Sequence, residues 1–372
     1  MRRSGKIGWF LHDVKNRGIT AWLISGVLLL FYVLLYFTEE LQPLVKLLGF
    51  DKKPFEGKWT LYGLLYTFAI VTGGGWMLYK YRHNKYQIVR TIVVMFVQTT
   101  LAFSVPIWLN FIDQPAYYFS YLWPLKIEYF YPSSILWMPI PFIVYSILGS
   151  LILVPVLGIF FGKRWYCSWV CGCGGLANTF GEPWRHLTSK SEASWKFEKY
   201  SIHITLVFSI LTTALVVISY GVGAKYPEFV ETTKTVQKTY GLLVSSILSG
   251  VVGVGLYPIG GTRIWCRNFC PMAAFLGLIQ KFGRFRITVK ENMCISCGMC
   301  TKYCEMGIDV RAYAQRNQSF VRASCVGCGL CAEVCPRGVL RLENSSEPHP
   351  QELTMNALIH ESWKQKPHRK AL

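Results

Sequence analysis

Charged side chains are scarce in this sequence of 372 residues, of which 16% are Asp, Glu, Lys or Arg and 52% are hydrophobic. Soluble globular proteins carry roughly a quarter of their residues as charged ones. This shortage, with the high apolar content, excludes an intrinsically disordered chain and argues against an ordinary soluble enzyme. Cysteine is absent before Cys167, and the 13 cysteines are too few for a disulfide-dense small fold at this length.

Charge is nearly missing from six apolar stretches, each of which approaches or exceeds the roughly 18 residues needed to cross a bilayer core. Arg90, near an end, is the one charged residue inside them. The predicted spans are Thr20–Phe37, Trp59–Tyr79, Ile88–Phe111, Trp137–Phe161, Ser201–Tyr220 and Tyr240–Tyr257. Six such stretches in one chain favour membrane helices over buried helices of a large soluble protein.

The basic residues lie mostly on one side of the predicted spans. The N-terminus, the second and fourth connections and the region after the sixth span are rich in Lys and Arg, whereas the opposite loops are mixed or nearly uncharged. By the positive-inside rule, both termini face the cytoplasm. Topology therefore explains much of the formal net charge of +19. We predict a multi-pass protein of the bacterial cytoplasmic (inner) membrane that meets lipid and binds no nucleic acid.

Motifs for organic cofactors are missing as well. Neither a Walker A loop nor a glycine-rich dinucleotide fingerprint lies on a strand-to-helix turn. The histidine near a predicted span is His203, and it has no second histidine with which to hold a haem between helices. We expect no haem, flavin or nucleotide.

The predicted non-cytoplasmic loop Gln114–Ser134 is crowded with tyrosine, phenylalanine and tryptophan. One interpretation is a belt of aromatic side chains at the membrane interface. The other is a docking surface or the mouth of a quinone site.

Eight cysteines near the C-terminus form two blocks, the second repeating the first 31 residues later. The blocks are Cys294-x2-Cys297-x2-Cys300-x3-Cys304 and Cys325-x2-Cys328-x2-Cys331-x3-Cys335-Pro336. A cysteine at every third residue wraps three thiolates around one cubane, and the fourth cysteine reaches the neighbouring cluster. This rhythm assigns one [4Fe–4S] cluster to Cys294, Cys297, Cys300 and Cys335, and the other to Cys304, Cys325, Cys328 and Cys331. Zinc and disulfides are disfavoured, because zinc sites use two spaced pairs and the cytoplasm is reducing.

With these motifs, residues Arg286–Leu342 resemble a bacterial-type two-cluster ferredoxin domain. The resemblance implies two short paired strands, Arg286–Val289 and Val339–Leu342, on either side of the cluster loops. Glu305 stands where that family often has proline after the fourth cysteine. This departure removes a turn constraint but no ligand.

A second repeat, at an offset of 99 residues, follows the fourth and sixth predicted spans. Gly162-Lys-Arg164-Trp-Tyr166-Cys167-x3-Cys171 matches Gly261-Thr-Arg263-Ile-Trp265-Cys266-x3-Cys270. The spacing predicts that both cysteines of a pair share one helical face, so that Cys167, Cys171, Cys266 and Cys270 meet at the membrane surface. A third iron–sulfur cluster or another metal, a redox-active dithiol and structural packing are the alternatives. Cys173 is a candidate substitute for Cys171.

Arg164 and Arg263 sit beside the two pairs. Each is a candidate either to stabilise negative charge on a reduced cluster or a quinone-derived anion, or to anchor a lipid phosphate.

Taken together, the spans, the C-x3-C pairs and the trailing dicluster domain resemble the membrane polyferredoxins of the NosR/NapH type, in a superfamily that includes CcoG. The resemblance covers roughly residues 137–342. It implies electron transfer between the quinone pool and respiratory or assembly partners, with quinol dehydrogenase or oxidoreductase subunit as the enzymatic role. The family's proline after the second cysteine is kept at Cys270-Pro271 but replaced at Cys171-Gly172. We expect neither the flavin-bearing domain of NosR nor the C-terminal β-domain of CcoG.

The predicted fold is mainly α, a six-helix transmembrane bundle followed by a small α+β dicluster ferredoxin domain. The predicted domains are a cytoplasmic segment 1–19, a transmembrane domain 20–285, the ferredoxin domain 286–343 and a polar tail 344–372. The favoured function is an electron relay between quinone and protein redox partners in a membrane complex. A copper-ion reductase for cofactor assembly and a non-catalytic redox sensor or assembly subunit are the alternatives.

Overall fold

The computed structural model describes residues 12–223 and 225–344. Most of the predicted segment 1–19 and nearly all of the predicted tail 344–372 therefore lie outside the described residues. The described chain is mainly helical, with several apolar helices and a small sheet near its C-terminal end.

Five helices are long and apolar enough to cross a membrane: α1 (Ile19–Phe37), α2 (Lys58–Lys80), α3 (Lys85–Phe111), α4 (Ile140–Phe161) and α5 (Glu192–Val222). They coincide with the first five predicted spans. Between 22% and 39% of the apolar stretch of each helix is buried inside the protein. The remainder exposes large side chains such as Leu23, Phe68 and Ile204. An exposed apolar surface of this extent indicates contact with lipid or with another apolar surface.

The sixth predicted span differs from the structure. Helix α6 begins much earlier, at Pro227, and runs as Pro227–Tyr240 followed directly by Gly241–Val252. Its first half carries threonine, lysine and glutamate, so α6 is not among the helices that are apolar enough to cross a membrane in the described part of the chain. It ends before Tyr257 because Gly253, Gly255 and Pro258 all disfavour a continuous helix. A six-helix bundle therefore stays a prediction.

Three helices contain wider, π-helical turns, Gln98–Ser104 in α3, Gly149–Leu153 in α4 and Gly241–Val252 in α6. Such turns displace side chains from the regular helical register and frequently lie at functional sites. Gln98 begins the turn in α3 and is almost completely buried.

Two connecting segments fold back into the bundle. The segment after α4 presses so closely on α2 that a β-carbon at Gly73 would lie 2.5 Å from the backbone nitrogen of Phe180. The loop Gln114–Ser134 meets this segment, because the Tyr166 hydroxyl donates to the Ser120 carbonyl oxygen at 2.8 Å. Tyr117 and Tyr131 of the loop are buried, at 0% and 1% exposure. An interfacial aromatic belt is therefore the wrong interpretation of this loop, since its side chains fill the protein interior.

The C-terminal domain contains one antiparallel pair of strands, β1 (Phe285–Val289) and β2 (Leu340–Asn344), with Ile287 opposite Leu342. The predicted strands are thus confirmed with bounds shifted by one or two residues. Helix α7 (Pro271–Ile279) leads into β1. The remaining short helices are Gln42–Leu47, Ile127–Phe130, Pro132–Ile135, Arg164–Cys167, Gly172–Asn178, Glu182–Leu187, Tyr257–Gly260, Ile264–Asn268, Gln280–Phe282, Met299–Lys302, Val310–Gln315 and Leu330–Glu333.

Candidate metal centres

The two cysteine-rich loops of the C-terminal domain follow the same backbone path. Left-handed backbone occurs at the matched positions Ser296 and Gly327, Gly298 and Gly329, and Gly307 and Gly338. The φ angles agree closely, at 59° for both Ser296 and Gly327, and at 75° and 77° for Gly298 and Gly329. The repeat detected in the sequence is therefore also a repeat of local structure.

The first predicted ligand set lies at the outer edge of the domain. Cys294, Cys297, Cys300 and Cys335 line one small cavity. Cys297 is exposed to solvent. The Val339 N–H donates to Cys335 Sγ at 3.4 Å, a contact that stabilises negative charge on a ligating sulfur.

The second predicted ligand set is more deeply placed. Cys331 lies close enough to Cys304, Cys325 and Cys328 for their charges to interact, and the Gly327 N–H donates to Cys325 Sγ at 3.4 Å. Burial raises the pKa of Cys304 to about 11 and the pKa of Cys325 to about 12. Free thiols at these positions are protonated at neutral pH, so metal binding must displace protons.

The two sets fit iron–sulfur clusters better than single metal ions. In residues 12–223 and 225–344, no three His, Cys, Asp or Glu side chains converge closely enough to hold one ion. Ligands of a cubane stand further apart, because each sulfur binds a different iron. Two groups of four cysteines, with N–H groups directed at their sulfurs, match that requirement. The assignment of individual ligands stays a prediction.

The upstream C-x3-C segments are also structural repeats. Gly162 and Gly261 both have left-handed backbone, with φ of 66° and 93°, and each is followed by a short helix. The prediction that both cysteines of a pair share one helical face is wrong. Cys171 and Cys270 instead have extended backbone and precede new helices, Gly172–Asn178 and α7. Proline after Cys270 disfavours helical backbone at that cysteine, so the first helix of the copy must end before it.

The structure nevertheless brings the two pairs together. Cys270 lies within electrostatic range of Cys167, Cys171 and Cys266, and all four are buried. Cys173 forms a hydrogen bond with Cys171 and is partly accessible. The five cysteines therefore form one group inside the bundle, in which Cys173 occupies the edge.

Glu305 is the important residue that the sequence interpretation discounted. Its side chain is 0% exposed, and its two carboxylate oxygens lie 2.9 Å from Arg185 Nη1 and 3.0 Å from Arg263 Nη2. Burial alone would raise the pKa of Glu305, but the two guanidinium groups outweigh it and hold the pKa below its usual value. The ionised carboxylate therefore connects the loop that contains Cys304 to both upstream segments.

Arg263 bridges this ion pair and the upstream cysteines. Its Nη1 donates to the Cys167 carbonyl oxygen at 3.3 Å and lies 3.7 Å from Cys266 Sγ. Because Arg263 is completely buried, a lipid-phosphate anchor is the wrong interpretation of this residue. Arg164 lies over the Phe285 ring, 5.0 Å from its centroid.

The second cysteine loop is held against α3 by backbone contacts. Arg90 Nη1 and Gln87 Nε2 both donate to the Cys328 carbonyl oxygen, at 2.8 Å and 2.9 Å. The Tyr86 hydroxyl donates to the Gly327 carbonyl oxygen at 2.7 Å. The charge of Arg90 inside a predicted span is explained by this contact, which fixes the ferredoxin-like domain on the bundle.

Comparison with known families agrees with these placements. Residues 287–342 match the family model described as a 4Fe-4S dicluster domain. Residues 143–190 and 241–290 match a second model, described as a 4Fe-4S binding domain, and these two stretches contain the two C-x3-C pairs. The chain therefore carries iron–sulfur domains of the ferredoxin type.

Several curated proteins are distantly similar to this chain. The methylamine utilization ferredoxin-type protein MauN of Methylobacillus flagellatus is 24% identical over 41% of this chain and 52% of its own length. The putative electron transport protein YccM of Escherichia coli is 25% identical over 40% of this chain and 43% of its own length. An uncharacterized protein of Methanocaldococcus jannaschii, MJ0749, is 27% identical over 42% of this chain and 58% of its own length. The chain thus spans about half the length of these relatives. No solved structure matches it.

Proposed function

We propose that this chain is a membrane-anchored iron–sulfur protein that relays electrons between the quinone pool and a respiratory or assembly partner, as its resemblance to the NosR/NapH type implies. The observation that carries the proposal is the attachment of the second predicted ligand set, at Cys304, to the upstream cysteine group. Glu305, next to Cys304, is paired with Arg263, which contacts the backbone of Cys167. Electron transfer requires sites held in fixed positions, and this network connects the second ligand set to the upstream cysteines.

The order of the sites supports one continuous path for electrons through the molecule. The upstream cysteine group lies inside the bundle, the set containing Cys328 packs on α3, and the set containing Cys297 lies at the outer edge. When bound, the clusters accept and release single electrons. A protein partner then exchanges electrons at the exposed edge around Cys297 and Ile295, the latter of which is 54% exposed.

Fixed positive groups and N–H donors favour the reduced state of such a path. Arg263 contacts the upstream cysteines, and Arg90 contacts the Cys328 carbonyl oxygen. Both arginines are buried, so their charges are weakly screened by water. Their role is to stabilise the negative charge that a cluster gains on reduction.

We assign the upstream cysteines Cys167, Cys171, Cys266 and Cys270 to a third cluster in preference to a dithiol. The matches of both segments to a 4Fe-4S binding domain support this assignment. The N–H groups of Cys173 and Gly174 donate to Cys171, as donors to a cluster ligand would.

The membrane location is supported by the five apolar helices and by the basic loops. The ferredoxin-like domain contacts Arg90 and Gln87 near the start of α3, which follows the basic connection after α2. By the positive-inside rule, these contacts support a cytoplasmic position for this domain. We propose the inner membrane as the location of the protein.

The test is iron and sulfide analysis with EPR on anaerobically purified protein, before and after addition of quinol. We expect about twelve irons per chain, the number for three cubanes, and about eight in Cys266→Ala. Quinol should reduce the clusters of the wild type. A colourless preparation that contains zinc would contradict the cluster assignment, and clusters that never respond to quinol would contradict the quinone assignment.

A further inference from the structure

A cavity of about 500 Å³ lies inside the bundle beside the upstream cysteines. It is lined by residues of α2, α3, α6 and the loop Gln114–Ser134, and aromatic side chains make up much of its wall. Cavities of this size are typical of sites for small organic ligands.

The inner end of the cavity reaches the cysteine group. Cys173 lines it directly, as does Trp265, the residue before Cys266. Trp265 is 5% exposed, and its indole N–H has no hydrogen-bond partner in the described residues. A buried donor without a partner carries an energetic cost, which a ligand acceptor in the cavity would remove.

Three further polar atoms converge at the same end. A β-carbon at Gly172 would lie 2.6 Å from the Tyr121 hydroxyl, 2.8 Å from Gln98 Oε1 and 3.0 Å from the Tyr66 hydroxyl. Gln98 is 1% exposed, and neither its Oε1 nor the Tyr66 hydroxyl has a partner in the part of the chain that the structure describes. Donors and an acceptor thus face one point beside the cysteines.

The second copy of the repeat carries larger residues at the two matched positions. Pro271 stands at the position of Gly172, and Met272 stands at the position of Cys173. Met272 is 1% exposed. A side chain at Gly172 would collide with the three polar atoms. Glycine in place of the family's proline therefore lets the three polar atoms approach the backbone next to Cys171.

The outer end of the cavity lies away from the ferredoxin-like domain. That domain contacts α3 at Arg90, whereas the cavity follows α3 from Gln98 to Ile107. A helical rise of about 1.5 Å per residue places these positions about 12 and 26 Å beyond Arg90. Glu56 and Glu128 belong to the outer part of the lining, and Glu56 is exposed to solvent.

We propose that this cavity is the quinone site, entered from the side of the bundle opposite the dicluster domain. The head group lies against Tyr66, Gln98 and Trp265, and electrons exchanged there pass directly to the adjacent upstream cysteine group. Oxidation of one quinol yields one quinone, two electrons and two protons. The electrons pass singly to the clusters of the proposed function, on which this inference rests, and the protons leave at the outer end beside Glu56 and Glu128.

The test combines photolabelling with quinol kinetics on the full chain in lipid nanodiscs. An azido-quinone should label peptides of α2 and α3 that line the cavity, and excess ubiquinol or menaquinol analogue should prevent labelling. Tyr66→Phe and Gln98→Leu should each raise the KM for quinol-driven cluster reduction about five- to tenfold, the effect of one lost hydrogen bond. Gly172→Ala should abolish labelling. Tyr79→Phe, an exposed residue of α2 outside the cavity, is the matched control.

Reduction by dithionite is measured in every variant, so that cluster loss is separated from loss of quinone binding. Labelling of other regions, or a wild-type KM in Tyr66→Phe and Gln98→Leu, would overturn the assignment of the cavity as the quinone site. The proposed function would still stand in that case, provided that quinol reduces the clusters of the wild type. Failure of quinol to reduce the wild type, with labelling in the cavity, would overturn the proposed function instead.

Discussion

The two cysteine loops of the C-terminal domain have the same backbone and opposite surroundings. Ile295 in the first loop is 54% exposed, whereas Val326, at the matched position of the second loop, is 1% exposed. Ser296 is exposed, so there is room for its side chain at this left-handed position. At Gly327, a β-carbon would lie 2.5 Å from Arg164 Cβ, so glycine is required there.

The difference shows which features of the repeat serve the clusters and which serve the attachment. The cysteine spacing and the left-handed turns are common to both loops. The residues that differ are Glu305 against Pro336 and Ser296 against Gly327. Glu305 of the first block and Gly327 of the second both contact the bundle, and both lie beside cysteines of the second predicted ligand set. The second ligand set is thereby attached to the bundle, whereas the first set stays accessible at Cys297.

The largest contrast between the loops is expected in their resistance to iron removal. Cys297 of the first set is exposed, whereas no cysteine of the second set is exposed and Cys325 and Cys331 are buried. A chelator reaches exposed iron first, so about half of the iron of the dicluster domain should leave before the rest. The measurement is iron release and EPR during anaerobic incubation with chelator. Simultaneous loss from both loops would show that burial against the bundle gives no protection.

Replacement of Glu305 should produce the next largest effect. Glu305→Ala leaves Arg185 and Arg263 buried without their carboxylate, a change that costs about 3–5 kcal/mol for buried pairs. Hydrogen–deuterium exchange of residues 299–310 should accelerate, because the segment around Cys304 loses its attachment to the bundle. The matched control is Pro336→Ala in the other block, where Pro336 is exposed and the change should stay within about 1 kcal/mol. Equal exchange in the two variants would refute the role given to Glu305.

Local patterns in the sequence predicted much of this molecule. The five apolar helices, the two repeats and the β1–β2 pair each depend on residues close together in the chain, or on a repeated spacing. The ion pair of Glu305 with Arg185 could not be predicted in that way, because it depends on how distant segments pack. The same reason applies to the burial of Tyr117 and to the cavity beside Cys173, which exist only after a loop has folded into the bundle.

Replacing Ser296 by glycine and Gly327 by serine, in separate variants, should give the smallest effects. The pair tests directly whether contact with the bundle requires glycine at position 327. Gly327→Ser forces a side chain between Arg164 and Phe285, whose Cζ would lie 3.1 Å from the new β-carbon, and overpacking of this kind costs about 1–3 kcal/mol. Ser296→Gly removes an exposed side chain from left-handed backbone and should change stability by less than about 1 kcal/mol. Exchange protection of residues 322–333 distinguishes the two variants. If both variants keep wild-type protection, contact with the bundle does not select glycine at position 327, and the cluster turn alone must account for it.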